Sequence, residues 1–440
     1  MIINRMFRNA GRPRTIVLAM IVAFIVRAIT SAILIDLQFS PETGHFEFGW
    51  ELGRVAKSLA EGNGFSSPIG EDMGPTSWVA PVPALLHAGI FKLLGIYSKG
   101  AGMAALLLNS VFSSLTILPL FFIGVLLAGG KAATWMAWVW CFYPYAILVS
   151  TTRIWGESLD GLLVTTLIFL SLRLGQVQLS ERELLLSWLG IGAVAGFALL
   201  TNPNSASTLP WVFAFPAYRL YRKSNLRPAH VTLALAALFI SLCPWLVRNG
   251  LIFAHFVPIK SNLWLEVDIA NNEHASVLLV DWSRHPASND KELAIYCRLG
   301  ERAYMETKRQ SSLLFIETQL AHFSVLTLRK FISWWTGFWS WDPRYLATEP
   351  MRGPLIFFHS AITLLSIAGT ASLRERAHRI FVVGIVICQG TMYYLTHPAI
   401  EYRHSVESLL VCVAVIGALS LRSLARAYRK LQGRQKWIEA

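Results

Sequence analysis

The chain has 440 residues, of which 54% are hydrophobic and only 15% are charged, and its mean hydropathy is +0.48. These values exclude an ordinary water-soluble domain and indicate a protein with several membrane spans. The formal net charge is +13. Because the basic residues cluster at the ends of apolar segments, they indicate the positive-inside pattern of membrane proteins rather than nucleic-acid binding.

Apolar segments alternate with polar connections along the whole chain, and many approach the length needed to cross a bilayer. We therefore predict an all-α polytopic membrane protein with about 10 transmembrane helices, within a range of about 9–13. The predicted spans cover about 15–35, 101–128, 132–150, 158–172, 187–201, 207–221, 229–246, 353–371, 380–396 and 405–421.

The basic residues also predict the orientation of the chain. Four arginines occur within the first 14 residues, so the N-terminus is expected in the cytoplasm and the first large loop outside. Residues 80–95 are apolar but too short for a span, which favours a helix at the membrane surface. The predicted parts are a module at 1–249 with its outer loop at 36–100, an extracytoplasmic or interfacial segment at 250–350, and the last spans with a basic cytoplasmic tail at 351–440.

The first outer loop carries two acidic side chains, Glu47 and Glu51, four residues apart. This spacing places both on one face of a helix. A carboxylate near the membrane surface can accept a proton from an attacking hydroxyl group, so either residue is a candidate general base. The alternative is a helix face solvated by water. Glu51 has the more apolar neighbours, which favours an inward direction and a raised pKa.

A third acid, Glu157, follows Arg153 by four residues just before a predicted span. We predict that Glu157 faces the same outer cavity as the first loop, where it orients the acceptor or shares the role of base. Arg153 is a candidate substrate-binding residue. The alternative for the two residues is a structural ion pair on one helix.

Two arginines at the predicted outer ends of spans, Arg248 and Arg403, are candidates for binding the phosphate of an anionic lipid. A guanidinium can hold phosphate through paired, charge-assisted hydrogen bonds. The alternative for each is an interfacial arginine whose charged head reaches towards water. The neighbouring Asn249 and Tyr402 belong to the same candidate substrate-binding set.

The histidines are scattered along the sequence, and none forms a pattern with metal-ligand spacing. A phosphate-binding glycine loop, a dinucleotide fingerprint and a serine-nucleophile motif are also missing from the sequence. We therefore expect neither a metal site nor a cofactor. The histidines outside the predicted basic inner loops include His45, His87, His285, His397 and His404.

Four sequence elements together resemble the polytopic GT-C glycosyltransferases, the superfamily of the protein O-mannosyltransferases and the lipid A aminoarabinose transferases. They occur in the same order, on the predicted outer side, and cover most of the chain in pieces. They are ELGRVAKSLAEGNGF with GPTSWVAPVPALLHAGIFKLLG in the first loop, CFYPYAILVSTTRIWGESL before the fourth span, CPWLVRNG, and EYRHSVESLL.

The resemblance implies a GT-C-like bundle with interfacial helices in the first and last large outer loops. It also implies an inverting, metal-independent glycosyltransferase that moves a sugar from a polyprenyl-phosphate-linked donor to an extracytoplasmic acceptor. Lipid, glycan and protein acceptors all fit this description. The enzyme would lie in the bacterial cytoplasmic (inner) membrane, in contact with the lipid bilayer, with its active site on the extracytoplasmic face.

In that superfamily an acid of the first loop acts as the base. Counting back from Leu59-Ala60-x-Gly62 places Glu47 at the usual position, whereas the FGxE element that ends at Glu51 favours Glu51. The loop lacks the Asp-Glu or Asp-Asp pair of the superfamily, so the resemblance does not decide which of the two glutamates is the base. A non-catalytic relative of the superfamily is also an open alternative. The resemblance makes the GPTSW stretch, with Trp78, a wall of the site.

Three other functions compete with this interpretation. A lipid or polysaccharide transporter or flippase predicts internal repeats and polar groups in mid-membrane, without an elaborate first loop. An O-antigen ligase or polymerase predicts a functional loop late in the chain and no acid in the first loop. The third is a membrane scaffold without enzymatic activity.

Overall fold

The computed structural model describes residues 13–38, 48–70, 72–337, 343, 352–399 and 401–438. Within these ranges the regular secondary structure is helical, and the recorded β-pairing is an isolated bridge between Ser66 and Pro75. The all-α fold predicted from the sequence is confirmed. Glu47, one of the two candidate bases, lies outside the described residues.

Helices of the first half of the chain follow the predicted apolar segments closely. A 3₁₀ helix at Pro203–Thr208 interrupts the series. The α-helices are α1 (Pro13–Gln38), α2 (Glu51–Glu61), α3 (Pro81–Leu94), α4 (Lys99–Leu115), α5 (Ile117–Ala128), α6 (Gly130–Cys141), α7 (Pro144–Thr152), α8 (Glu157–Gln176), α9 (Glu181–Thr201), α10 (Leu209–Arg222) and α11 (Pro228–Phe253).

The second half begins with the polar region predicted to lie outside the membrane. Its long helix α13 is kinked at Gly300, where φ is +76°. Short 3₁₀ helices occur at Trp282–Arg284 and Glu401–Arg403. The α-helices are α12 (Leu263–Ala270), α13 (Asp290–Thr318), α14 (Leu320–Thr336), α15 (Arg352–Ser372), α16 (Arg376–Gln389), α17 (Thr391–Leu395) and α18 (His404–Ile438).

Seven of the described helical stretches are long and apolar enough to cross a membrane, and the bent pair α6–α7 makes an eighth candidate. The sequence predicts about 10 spans. The difference lies in two predicted spans that correspond to α10, with 14 residues, and to α15, whose described apolar part is short. The chain is thus a multi-pass membrane protein, as predicted.

The main core lies where the spans cross. It includes the buried faces of α1, α5 to α10, α16 and α18. Close approach of α15 and α18 depends on Gly369, because a Cβ atom there would lie 1.7 Å from the carbonyl oxygen of Val413. Small residues at such crossings are typical of helices that pack within membranes.

Arg27 lies within α1, is fully buried, and closes the break between α6 and α7. Pro144 has no N–H group to donate to the carbonyl of Trp140, so the helix loses a hydrogen bond at this point. Arg27 Nη2 donates to that carbonyl at 3.1 Å and Nη1 donates to the carbonyl of Cys141 at 3.0 Å. Its Nε donates to Ser113 Oγ at 3.0 Å. The arginine therefore replaces the backbone donors that the bent span lacks.

Substitution of Arg27 by Met is expected to destabilise the protein by about 2 kcal/mol, because the buried carbonyl of Cys141 loses the Arg27 donor and that of Trp140 keeps only the 3.3 Å bond from Tyr143 N–H. The measurement is thermal unfolding of the purified protein in detergent. Arg14→Met, at an exposed position of the same helix, is the control and should leave the midpoint nearly unchanged. Equal midpoints for the two variants would contradict this role of Arg27.

Candidate active site

A cavity of about 460 Å³ lies where the start of α2, the α7–α8 connection, the 263–285 region and the 397–402 segment meet. Its walls combine aromatic, acidic and imidazole side chains with one arginine. The lining residues that bear on chemistry are Trp50, Glu51, Arg153, Trp155, Glu157, Glu266, Trp282, His285, His397, Glu401 and Tyr402. Four of the side chains predicted from the sequence therefore share one cavity: Glu51, Arg153, Glu157 and Tyr402.

A tight turn before α2 brings Glu51 into this cavity. Gly49 has φ +81° and Trp50 has φ +48°, so α2 begins only at Glu51. A Cβ atom on Gly49 would lie 2.7 Å from the carbonyl oxygen of Ile154 and 3.3 Å from Trp155 Nε1. The turn is thus packed directly on the α7–α8 connection, and this contact places Glu51 and Glu157 on the same cavity.

The Glu51 carboxyl group is largely removed from water, with 13% of its side chain exposed. The pKa of this carboxyl group is raised from 4.5 to about 7, mainly by burial and also by the nearby Glu266, while a backbone hydrogen bond, Lys260 and Arg54 act in the opposite direction. A carboxyl group with a pKa near 7 can both accept and release a proton at neutral pH, as a general base requires.

Glu157 and Arg153 enter the cavity from the α7–α8 connection. Glu157 is the first residue of α8, and Asp160, one turn later, accepts hydrogen bonds from Ser205 Oγ at 2.6 Å and Asn202 Nδ2 at 2.9 Å. Arg153 follows the end of α7 and Glu157 begins α8, so the alternative of an ion pair on one continuous helix does not apply. The guanidinium of Arg153 lies 3.6 Å from Glu401 and 49% of its side chain is exposed.

Tyr402 lines the cavity from the segment that precedes α18. Its ring stacks on Tyr393 at 4.7 Å, and its hydroxyl lies 3.4 Å from His397 Nε2. His397 Nδ1 lies 3.6 Å from a carboxylate oxygen of Glu266. Burial lowers the pKa of His397, and Glu266 only partly offsets this effect. The imidazole is therefore neutral at pH 7 and lies between the tyrosine hydroxyl and the acid.

Arg248 and Asn249 lie outside the cavity lining. Arg248 Nη1 donates to the carbonyl oxygen of Thr76 at 2.7 Å and to Asn249 Oδ1 at 2.9 Å, while Nη2 donates to the carbonyl oxygen of Phe65 at 2.9 Å. Its guanidinium also lies over the Trp245 ring, 4.8 Å from the centroid. These contacts join the end of α11 to the first loop.

Arg403 and Trp78 are also placed behind the cavity rather than in its lining. Arg403 is fully buried; its Nε donates to Glu407 at 2.8 Å and its Nη1 to the carbonyl oxygen of Trp334 at 3.1 Å. Trp78 is 2% exposed and meets the imidazole of His285 edge-on, with 5.7 Å between ring centroids. The tryptophan therefore supports a lining residue from behind.

The lining residues that reasoning from the sequence did not select include Glu266, Trp282, His285 and His397. The first three come from the 250–350 region, which has no motif that marks a site. His285 and His397 were visible only as isolated histidines, and a single histidine carries little information about function.

The cavity contains several carboxyl groups in different surroundings, one exposed guanidinium and neutral imidazoles. Two indole rings, those of Trp50 and Trp282, stack at 5.5 Å with an interplanar angle of 14° and form an apolar wall. In the described part of the chain, no group of three or more His, Cys, Asp or Glu side chains is placed to hold a metal ion. The arrangement suits proton transfer beside an anionic group.

The comparisons find likeness in structure alone. The apo oligosaccharyltransferase of Archaeoglobus fulgidus aligns with a TM-score of 0.52 and 12% identity, over 94% of this chain and 52% of that chain. The same archaeal enzyme tethered to an acceptor peptide with the NVT sequon aligns with a TM-score of 0.50 and 11% identity, over 94% and 50%. No family model matches the sequence, and no curated protein matches it.

These similarities show that the chain shares its fold with the archaeal oligosaccharyltransferase, in agreement with the predicted all-α membrane bundle. The chain spans about half the length of the solved structures it matches. With 11–12% identity, the likeness concerns the fold and not the chemistry.

Substitution of Gly49 by Ala is expected to displace Glu51 from the cavity, because the new methyl group would overlap the Ile154 carbonyl. Gly62→Ala at the other end of α2 is the matched control. Gly62 has a similar φ of +89° but nothing within 4 Å of a built Cβ, so it carries only the left-handed strain of about 1 kcal/mol. The midpoint of thermal unfolding should fall clearly more in Gly49→Ala than in Gly62→Ala. Equal losses would contradict the packing role of this turn.

Proposed function

We propose that the protein is a membrane glycosyltransferase that moves a sugar from a polyprenyl-phosphate-linked donor to an acceptor hydroxyl group. The observation that carries this proposal is the cavity shared by Glu51, Glu157 and Arg153, which puts a buried base beside an exposed cation. The reaction would take place on the extracytoplasmic face of a bacterial inner membrane, the side on which the first loop is expected.

In the proposed reaction Glu51 removes the proton of the acceptor hydroxyl as its oxygen attacks the anomeric carbon of the sugar. The new bond between oxygen and carbon forms opposite the phosphate. The old carbon–oxygen bond breaks, and its electron pair leaves with the polyprenyl phosphate. A single displacement of this kind inverts the anomeric configuration. Because phosphate leaves as a stable anion, a base and a phosphate-binding cation are chemically sufficient.

We assign the donor phosphate to Arg153, whose half-exposed guanidinium faces the cavity. Glu401 lies 3.6 Å away and would keep the arginine oriented without occupying its whole donor fork. Arg248 and Arg403, both proposed from the sequence as phosphate ligands, would instead act through structure. Arg248 would hold the first loop, and Arg403 would anchor the segment that carries Tyr402.

The remaining walls suit the sugar and the acceptor. The stacked rings of Trp50 and Trp282 present flat apolar faces of the kind that line small-molecule sites. Glu157 lies at the start of α8, on the same cavity as Glu51, where we propose that it accepts a hydrogen bond from the acceptor. A neighbour of the same fold is named as an oligosaccharyltransferase tethered to an acceptor peptide, which supports a site that receives an acceptor but identifies none of its residues.

Replacement of Glu51 by Gln should lower turnover at least about 100-fold, because the amide cannot take the proton. The assay measures release of polyprenyl phosphate from a labelled polyprenyl-phosphate sugar in the presence of a cell-envelope extract. Below pH 7 the wild-type rate should also fall, since a pKa of about 7 leaves Glu51 protonated there. The rate should rise through a midpoint near pH 7 and level off above it.

Glu61→Gln is the control for this experiment. Glu61 ends the same helix, its side chain is 37% exposed, and it lies 3.9 Å from Lys57. This variant should retain the wild-type rate and pH profile. Full turnover by Glu51→Gln would exclude Glu51 as the base and return the role to Glu47 or Glu157.

Arg153→Gln should raise the KM for the donor about 10-fold or more, because charge-assisted hydrogen bonds to the phosphate are lost. Arg153→Lys keeps the charge but loses the paired donors, so its KM should lie between those of the wild type and Arg153→Gln. Initial rates at varied donor concentration give the KM of each variant. An unchanged KM in Arg153→Gln would exclude Arg153 as the phosphate ligand.

A further inference from the structure

His285 is the most buried ionisable side chain of the cavity wall that the proposed reaction leaves without a role. It follows the 3₁₀ helix Trp282–Arg284 and is 3% exposed. Trp78 and Trp282 contact its ring edge-on, at centroid distances of 5.7 Å and 5.1 Å. The imidazole therefore cannot turn freely and presents one fixed edge to the cavity.

The protonation state of His285 follows from its contacts. The backbone N–H of Ala287 donates to Nδ1 at 3.0 Å, so Nδ1 carries a lone pair and the proton of the neutral ring lies on Nε2. Burial lowers the pKa of His285 to about 4. At neutral pH the ring is thus an uncharged donor, and its Nε2 atom lies 3.7 Å from Glu51 Oε1.

We propose that His285 is a positioning residue that stabilises the ionised form of Glu51 through its Nε2–H group. This inference rests on the proposed role of Glu51 as the base. The separation of 3.7 Å is too long for a hydrogen bond. Contacts of this kind in active sites often shorten only when the substrate is bound or charge develops. When Glu51 loses its proton, the carboxylate attracts the Nε2–H group; when Glu51 takes the proton of the acceptor, that attraction weakens.

The position of His285 is itself fixed by a charge network on the far side of the 3₁₀ helix. Arg284 binds Asp268 with two hydrogen bonds of 2.9 Å and 2.7 Å, and Lys308 lies 3.4 Å from the same carboxylate. Lys308 Nζ also donates to the carbonyl oxygen of Arg284 at 3.0 Å. These bonds hold the 3₁₀ helix against α12 and α13, so the backbone that carries the His285 imidazole has a fixed position.

Other charges also act on the pair, and the experiment must separate their effects. They stay in place when His285 alone is changed, so a difference between variants reports the imidazole. The groups that influence Glu51 are Glu266, Lys260 and Arg54, and those that influence His285 are Glu266, Lys308, Glu292 and His397.

The test reads the protonation of Glu51 directly, without turnover. Dicyclohexylcarbodiimide reacts with protonated carboxyl groups in apolar surroundings, and mass spectrometry measures its addition at Glu51 as a function of pH. In the full-length wild-type protein, labelling should fall through a midpoint near pH 7. His285→Asn keeps an acceptor for Ala287 but has no donor that reaches Glu51. Its labelling midpoint should rise by about one pH unit, since a donor to the charged form is lost.

His285→Gln is the matched variant, because its amide nitrogen reaches as far as Nε2 and restores the donor. Its midpoint should return towards the wild-type value, whereas a purely structural role would not separate Asn from Gln. Labelling at Glu157 serves as the internal reference, and thermal unfolding confirms that each variant is folded. An unchanged Glu51 midpoint in folded His285→Asn would overturn the proposal.

Activity gives the second readout and separates the two hypotheses. If Glu51 is the base, the midpoint of the pH–rate profile should rise in His285→Asn together with the labelling midpoint. If labelling shifts but the rate profile does not, His285 stabilises the Glu51 carboxylate as proposed and the role of Glu51 as base fails. If neither shifts in a folded, active variant, the role of His285 is excluded while the proposed function stands.

Discussion

The geometry of the cavity depends on the buried hydrogen bonds that join the first loop to the two helices that flank it, α11 and α13. On one side Arg248 donates to the carbonyl oxygens of Phe65 and Thr76. On the other side the buried carboxylate of Glu301 accepts from the backbone N–H of Ser77 at 2.8 Å and from the Thr76 hydroxyl. Removal of either partner would leave buried polar groups without compensation, which is costly. The loop therefore has one stable position.

A second network fixes the opposite wall. Asp268, Arg284 and Lys308 join α12, the 3₁₀ helix and α13, and the same elements present Glu266, Trp282 and His285 to the cavity. Both walls are thus held by charged groups whose hydrogen bonds are directional. This rigidity allows Glu51 to remain desolvated, since walls that could relax would admit water and lower its pKa.

Length and apolar character of the segments were sufficient to predict the helical membrane fold, because a bilayer demands long hydrophobic helices. The span count differed from the prediction, since α10 has only 14 residues and the described apolar part of α15 is short. The cavity residues Glu51, Arg153 and Glu157 could be selected because they sit in recognisable local elements. Glu266, Trp282, His285 and His397 could not, because only tertiary structure brings them there.

Arg248 illustrates a different limit of the sequence. A guanidinium at the end of a span has the right chemistry for phosphate, and the sequence cannot reveal whether other acceptors are nearer. In the folded chain those acceptors are two backbone carbonyls of the first loop, 172 and 183 residues away in sequence, at 2.7 Å and 2.9 Å. Backbone groups are present at every residue, so no residue pattern marks them. Arg153, by contrast, has 49% of its side chain exposed and lies 3.6 Å from the carboxylate of Glu401.

The placement of the acids suggests why a desolvated cavity can host the proposed reaction. Glu51 and Glu157 are the first residues of α2 and α8, and the N-terminus of a helix carries a partial positive charge. In the proposed reaction the charge on Glu51 disappears as it takes a proton, while the phosphate gains one negative charge as it leaves. Total charge in the cavity therefore stays constant. A low-dielectric site opposes the creation of charge far more than its transfer between groups that are already stabilised. The helix ends and Arg153 would stabilise the negative charge at both ends of that transfer.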